Sequence, residues 1–362
     1  MLKAILHARL TFRQHFLSLL ASVLSSTQYL PHEYAELVLP NVQTESVVAR
    51  SDPRTLSLDL AHQLAFRRGL GNSLFAQEHS PVSIDDVRSF GQQAFAKSNI
   101  AVLGGGISTE ALSAAVSKAF GGSAGGASSL NAGSSKYFGG ETRVAIDTHH
   151  SHTHQPTLTI AYGSASAPSA DLKVLPHLIG GASSVKWCAG TSPLSLAAEK
   201  IPGSKIETNL LPYSDASLFT VTITAPTSQG LKTLAQEVSQ HVKSLGEAKD
   251  EGVKKAIAQA KVAEASKFGT SAGLLSVVAP SVRCMRNVMR ACADVQIFKG
   301  EIPSADSSFS ALDNVSASSV SKVCTGPPRC GAKLTHRPPP SSSRLSQQSL
   351  PSVTSLACHT GE

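Results

Sequence analysis

The chain has 362 residues, 41% hydrophobic and 16% charged, with a net charge of +7 and a sequence pI near 9.1. That length and apolar content suffice for two folded domains and exclude a wholly disordered chain. The positive charge is not gathered into a run of Lys and Arg interleaved with aromatics, which argues against nucleic-acid binding. No apolar run approaches the ~20 residues that a membrane-spanning helix requires, and the six cysteines, with no Cys-x-x-Cys pair, read as free thiols in a reducing compartment.

Residues 1–15 carry Lys3, Arg9 and Arg13 and no acid, the composition of a mitochondrial presequence. The rival reading is a segment standing in place of a missing one. HFLSLLASVLSSTQ puts Phe16, Leu19, Leu20, Val23 and Leu24 on one helical face, which predicts a core-facing helix. In YLPHEYAELVLPNV, Pro31 suits a first helical position, Glu33 and Glu36 suit the positive end of the dipole, and Pro40 is expected to kink or end the helix. Asp52-Pro53 opens a further helix, predicted to bury Leu56, Leu60 and Leu64 with Ala61 and Ala65. RRGLGNSLF reads as a loop, and Ser83 with Asp86 forms a capping box before a helix marked by Val87, Phe90 and Phe95.

The apolar run Ile100–Leu103 reads as a buried strand, followed by three glycines and a helix through Leu112, Val116 and Phe120. Glycines at a helix N-terminus can cradle a phosphate. The run lacks both G-x-x-x-x-G-K-[ST] and G-x-G-x-x-G, so a plain tight turn is the preferred reading. Gly121 to Gly140 is rich in Gly, Ser and Ala and reads as a linker between domains.

Past the linker, Val144 and Ile146 mark an opening strand, and His149, His150, His152 and His154 follow. In a strand the last three project to one side, and three imidazoles with an open position make a catalytic zinc set. No acidic second shell and no fourth ligand stand nearby in sequence, which favours a polar strand entry or exposed loop. Gln155 to Gly163 alternates Leu158, Ile160 and Tyr162 against Thr157, Thr159 and Ala161, a strand. Asp171 then reads as the N-cap of a helix through Leu172, Leu175, Leu178 and Ile179, stopped by Gly180 and Gly181. Trp187, the chain's only Trp, is expected to be buried just beyond. Strand, helix and Gly-Gly turn form the unit of an α+β domain whose sheet carries helices on one face.

SPLSLAAEK predicts a short helix, and residues 205–225 two antiparallel strands about a turn at Ser214-Asp215, with Ile206, Leu210, Phe219, Val221 and Ile223 on the apolar face. Two long helices follow over residues 227–246 and 250–268. From Ala279 the pattern is basic and irregular, Ser316 caps a last helix, and Thr325 to Glu362 reads as a low-complexity tail.

The pattern Asp-x-x-x-Leu-x-x-Leu-x-Gly-Gly, from Asp171 to Gly181, resembles the second domain of the pitrilysin-type zinc peptidases and their non-catalytic relatives. The continuation Gly180 to Ser195, with Ser184, Lys186 and Trp187, is similar to the core proteins of mitochondrial ubiquinol-cytochrome c reductase. The resemblance covers about Phe16 to Val323. It implies two homologous sheet-plus-helices domains: an incomplete first at 16–120, a linker at 121–140, and a second at 141–324. It also favours the missing-segment reading of residues 1–15, since Phe16 to Gln28 already resembles the middle of the family's first domain. A closing strand that the family supplies after residue 324 is expected to be lacking, leaving one sheet edge open.

The zinc peptidases of this family use His-x-x-Glu-His, whose imidazoles bind the metal and whose Glu activates water. None of the thirteen histidines begins such a motif. The resemblance therefore implies no catalytic, cofactor-binding or metal residue and no cofactor. It implies a structural subunit on the matrix side of the inner membrane, peripheral through its partners: core protein 1 and other subunits of respiratory complex III. A second reading is the substrate-binding subunit of a mitochondrial processing peptidase, whose glycine-rich loop lies where this chain has Gly180, Gly181 and the short Ser183 to Trp187.

Overall fold

Extended backbone is favoured where β-branched residues alternate with small ones, and the computed structural model places Thr157–Ser164 in a strand accordingly. It describes residues 13–77, 82–96, 99–100, 102, 108–120, 134–145, 155–181, 192–245, 250–270, 273, 277, 305–316, 318–320 and 332–336. Chain contacts divide into two units. The first comprises Met1–Val42, Glu78–Ala132 and Glu264–Ser307, and the second Gln43–Gln77, Gly133–Ala263 and Ser308–Glu362.

In the first unit, α1 (Arg13–Ser25) and α6 (Thr109–Phe120) share a small core. Ala21 and Val116 are buried, packed by Leu17, Leu24, Ile100, Val102, Leu112 and Ala119. The inward stripe of α1 is therefore Leu17, Ala21 and Leu24. Leu19 and Val23, predicted to face the core, are 52% and 54% exposed. A narrow contact between two helices covers only a narrow stripe, and the small Ala21 lets them approach. Ile100 and Val102 carry no strand pairing; residues 101 and 103–107, with the three glycines, lie outside the described residues.

Pro40 does not end its helix. The α-turn α2 (Pro31–Glu33), a π-segment (Tyr34–Val38) and α3 (Leu39–Ser51) follow one another without a break. Proline lacks the N–H of an i→i−4 bond and its ring crowds the preceding turn. Widening that turn to the π form, with Leu39 N–H bonded to the Tyr34 carbonyl, accommodates it. The Ser83–Asp86 capping box of α5 (Ile84–Ala94) forms in both directions. Phe90, predicted on the packed side of α5, is 63% exposed, and Gly91 is buried instead because the Tyr29 hydroxyl fills the space a Cβ would take.

The second unit is built on a five-stranded sheet in the order β1-β5-β2-β4-β3. Its strands are β1 (Glu141–Val144), β2 (Thr157–Ser164), β3 (Lys205–Pro212), β4 (Ser217–Thr224) and β5 (Ala332–His336). β3 and β4 form the expected hairpin, Pro212 opposite Ser217. β5 corrects the sequence reading: the stretch read as low complexity supplies a strand that pairs with β1 in parallel and with β2 antiparallel. Its residues, Ala-Lys-Leu-Thr-His, alternate as a strand's do, but the Pro- and Ser-rich stretches on either side set the reading of the whole segment.

Helices cover both faces of the sheet centre, not one. Against one face lie α7 (Ala170–Ile179), α8 (Pro193–Glu199), α9 (Ser228–Ser244) and α10 (Asp250–Phe268), with α11 (Ala305–Asp313) adding Leu312 to the same core. That core joins Leu158, Ile160, Val174, Leu194, Ile206, Phe219, Val221, Ile223, Leu234 and Val238. Against the other face lies α4 (Pro53–Phe66), capped by Asp52, whose side chain accepts from the amides of Arg54 and Thr55. Its buried residues are Pro53, Ser57, Asp59, Ala61, Ala65 and Phe66, while Leu56, Leu60 and Leu64 are only half-buried. Small residues at four-residue spacing bring the helix axis close to β2, where Ala61 and Ala65 pack with Ala161. Consequently Thr157, Leu158, Thr159, Ile160 and Ala161 are all buried, and the sequence alternation does not mark a wet face.

Three hydroxyls are sealed in that contact: Thr159 Oγ1 lies 2.9 Å from Ser57 Oγ and 3.2 Å from Thr222 Oγ1. Thr159→Val is nearly isosteric and removes the middle of the chain, so it should cost about 1–3 kcal/mol by stranding buried partners. Equal urea midpoints for Thr159→Val and the unsubstituted chain would show the bonds to be dispensable.

Candidate functional site

The Gly180-Gly181 turn, where the family resemblance is densest, is held by side chains from two elements. Ser169, not Asp171, caps α7, its Oγ accepting from Leu172 N–H; Asp171 stands in the first turn and accepts from Ser319 Oγ. At the far end of α7, Gly180 adopts φ 76° and ψ −165°. A Cβ there would lie 2.2 Å from Ser192 Cβ. Gly181 N–H donates to Ser192 Oγ (3.1 Å), Ser195 Oγ donates to the Gly181 carbonyl, and Thr208 Oγ1 donates to the Gly180 carbonyl (2.9 Å). Ser192 also caps α8 by accepting from Ser195 N–H. The turn is thereby locked to α8 and β3. Both serine hydroxyls are engaged with the turn's peptide and each other, and none of the bonds just described brings in a histidine, lysine or carboxylate to activate a nucleophile.

A second cluster ties α4 to the hairpin end. His62 Nδ1 lies 2.8 Å from the Leu58 carbonyl and Nε2 2.6 Å from the Tyr213 hydroxyl, which assigns the proton to Nδ1 and makes Nε2 the acceptor. Burial raises the Tyr213 phenol above its usual pKa. Phe66 sits edge-on to Tyr137 and Tyr213, and the Tyr137 ring covers Gly163 of β2, 2.3 Å from where a Cβ would stand. The segment 134–140 is fastened across this cluster: Phe138 N–H donates to the Ala65 carbonyl, Arg67 lies 4.7 Å over the Phe138 ring, and Ser135 N–H donates to Asp215 Oδ2. That amide bond holds the Asp215 carboxyl below its usual pKa. His62 and Tyr213 are 151 positions apart, so no local motif announces the pair.

His241, in the last turn of α9, is the one described side chain with a buried polar atom lacking a partner, its Nε2. Burial lowers its pKa below 6.5, partly opposed by a hydrogen bond to the Ile179 carbonyl. The folded state thus favours the neutral ring, and the unfolded chain takes up the proton first as pH falls. Stability should be complete above pH 6.5 and decline below it, through the lowered folded value. Urea midpoints at pH 7.5 and 5.5 check this: His241→Gln should shrink the difference, and an unchanged difference would assign the pH response elsewhere.

His149, His150, His152 and His154 lie outside the described residues, as do Trp187, Ser184 and Lys186. Among the described residues no three His, Cys, Asp or Glu side chains converge as metal ligands, and no helix is long and apolar enough to cross a membrane.

The fold is shared with a chain of the complex III2 structure from Candida albicans with Inz-5 bound: TM-score 0.69, 16% identity, covering 88% of this chain and 74% of that one. No family model matches the sequence. Among curated proteins it is 52% identical over 310 residues to mitochondrial cytochrome b-c1 complex subunit 2 of Cryptococcus neoformans var. grubii, covering 86% of this chain and 67% of that protein. To the subunits 2 of Yarrowia lipolytica and Schizosaccharomyces pombe it is 34% and 31% identical, with 73% and 86% of this chain and 62% and 68% of theirs covered. The chain belongs to the family of mitochondrial cytochrome b-c1 complex subunit 2. It spans about two thirds of the length of these relatives.

Proposed function

We propose that this chain is a non-catalytic structural core subunit of mitochondrial respiratory complex III, ubiquinol-cytochrome c reductase, needed for its assembly. The observation that carries the reading is the 52% identity over 310 residues to a cytochrome b-c1 complex subunit 2. In this reading the subunit is peripheral on the matrix side of the inner membrane, attached through core protein 1 and other subunits, and binds no nucleic acid. Its two halves, 16–120 and 141–324, are homologous pitrilysin-type domains, the first incomplete. Absence of His-x-x-Glu-His from the sequence supports an inactive member of that family, with no catalytic, cofactor or metal residue.

The test is purification of the tagged full chain from mitochondria. Co-purifying b- and c-type haem absorbance is expected, with no cleavage of a presequence peptide. Recovery instead with a soluble zinc-bearing subunit, together with cleavage that a chelator abolishes, would support the processing-peptidase reading and overturn this one.

A further inference from the structure

The assembly role makes no use of the His62–Tyr213 pair, whose geometry carries a chemistry of its own. Tyr213 follows β3, and its N–H donates to the Ala216 carbonyl, so the hairpin turn fixes its backbone. His62 stands on α4 with its Nδ1–H held by the Leu58 carbonyl at 2.8 Å. That bond leaves the Nε2 lone pair for the Tyr213 hydroxyl, 2.6 Å away. The two rings meet edge to face, centroids 5.9 Å apart and planes at 82°. Both residues are half-buried, so a dissolved reagent approaches the ring edge while the hydroxyl faces a fixed base inside the protein.

A phenol gives up an electron with difficulty while it keeps its proton, because the radical cation left behind is a strong acid. The loss becomes easy when a positioned base takes the proton in the same step. Burial raises the Tyr213 pKa, so prior ionisation does not supply the phenolate. The neutral imidazole supplies the base instead. Other tyrosines stand differently. The Tyr34 hydroxyl donates to the Val82 carbonyl at 2.7 Å, a far weaker base than imidazole. Tyr162 is stacked on Phe219, and the Tyr29 hydroxyl lies against Gly91.

We propose that Tyr213 is the site at which this chain yields a single electron to an outer-sphere one-electron oxidant, with His62 as the proton acceptor. The electron passes to the oxidant, which is reduced by one. The Tyr213 O–H bond breaks and its proton forms the Nε2–H bond of His62. The products are a neutral phenoxyl radical and an imidazolium. The imidazolium still donates Nδ1–H to Leu58 and now donates Nε2–H back to the phenoxyl oxygen. This chemistry stands apart from the complex III reading and does not depend on it.

The experiment uses the full chain, with tris(bipyridine)ruthenium(III) generated by light and persulfate as the oxidant. A nitroso spin trap fixes the radical where it forms, and peptide mapping reads the adduct at each of the five tyrosines. Tyr213 should carry most of it. His62→Gln keeps a hydrogen-bond acceptor but removes the base; a positioned base is worth about 10²-fold or more in rate, so the Tyr213 adduct should fall at least about tenfold while the other tyrosines hold theirs. On the unsubstituted chain, frozen after the flash without the trap, electron-nuclear double resonance should show one exchangeable proton bonded to the phenoxyl oxygen, and Tyr213→Phe should remove that signal. Adduct centred on Tyr137 or on Trp187, adduct spread evenly over the tyrosines, no radical at all, or an unchanged Tyr213 yield in His62→Gln overturns the proposal. A phenoxyl radical without the exchangeable proton overturns it equally, whatever the stability of the variants.

Discussion

Phe66→Ala should cost about 3–5 kcal/mol, the largest effect expected of any single side-chain truncation in α4. Phe66 is 1% exposed and ends the helix that covers the sheet. Its ring is edge-on to Tyr137 at 6.4 Å and to Tyr213 at 6.3 Å, contacts worth about 0.5–1.5 kcal/mol each beyond the area they bury. The three rings come from three separate stretches of chain, so none can collapse into the space left without moving its own backbone. Leu74→Ala serves as the control: that side chain is 90% exposed, and its loss should stay within about 0.5 kcal/mol. Urea melts of the two variants separate the readings. A Phe66→Ala cost below about 1 kcal/mol would mean that α4 is not anchored on the sheet as described.

Gly180→Ala is expected to be nearly as damaging for a different reason. At φ 76° and ψ −165° Gly180 occupies a region essentially reserved for glycine, and a side chain held there stores about 1–3 kcal/mol of backbone strain. A steric contribution adds to this, because the new Cβ meets Ser192 at 2.2 Å. Ser192 cannot simply swing away, since it accepts from Gly181 and caps α8. The two contributions separate in a double-mutant cycle with Ser192→Gly. Removing the serine side chain should relieve the clash and leave the strain, so Gly180→Ala should cost less, yet still measurably, in the Ser192→Gly background. A cost that vanishes there would show the backbone to be relaxed.

Where residue type acts locally, the sequence was a good guide. Asp52-Pro53, the Ser83–Asp86 box, the β3–β4 hairpin and helices α9 and α10 each depend on a few adjacent positions, and they stand as read. Readings that depended on what lies across an element fared worse. Leucine spacing in α4 pointed to Leu56, Leu60 and Leu64, which are only half-buried, whereas close packing on a sheet selects the small residues, Ser57 together with the expected Ala61 and Ala65. Phe90 and Val23 are apolar and correctly spaced yet exposed, because nothing in their own helices states how wide the opposing surface is. Asp171 lost the cap to Ser169, two residues earlier, since either side chain can accept a first-turn amide and the path of the preceding loop decides. The His62–Tyr213 pair and the Gly181–Ser192–Ser195 lock were illegible because their partners meet only in the folded chain.

The position of β5 also governs when the sheet can form. Among the described strands β1 and β2 come first, yet they do not pair with each other; the strand between them, β5, comes last of the five, nearly two hundred residues beyond β1. A chain emerging in order, from a ribosome or through a translocation pore, can zip β2, β4 and β3 together early. It must hold β1 and one flank of β2 unpaired until residue 336 arrives. Such distant pairing closes a long loop before its contacts repay the cost, so it is slow and leaves strand edges open to other chains in the interval. Folding of this unit is thus a late event, complete only after residue 336 has been delivered.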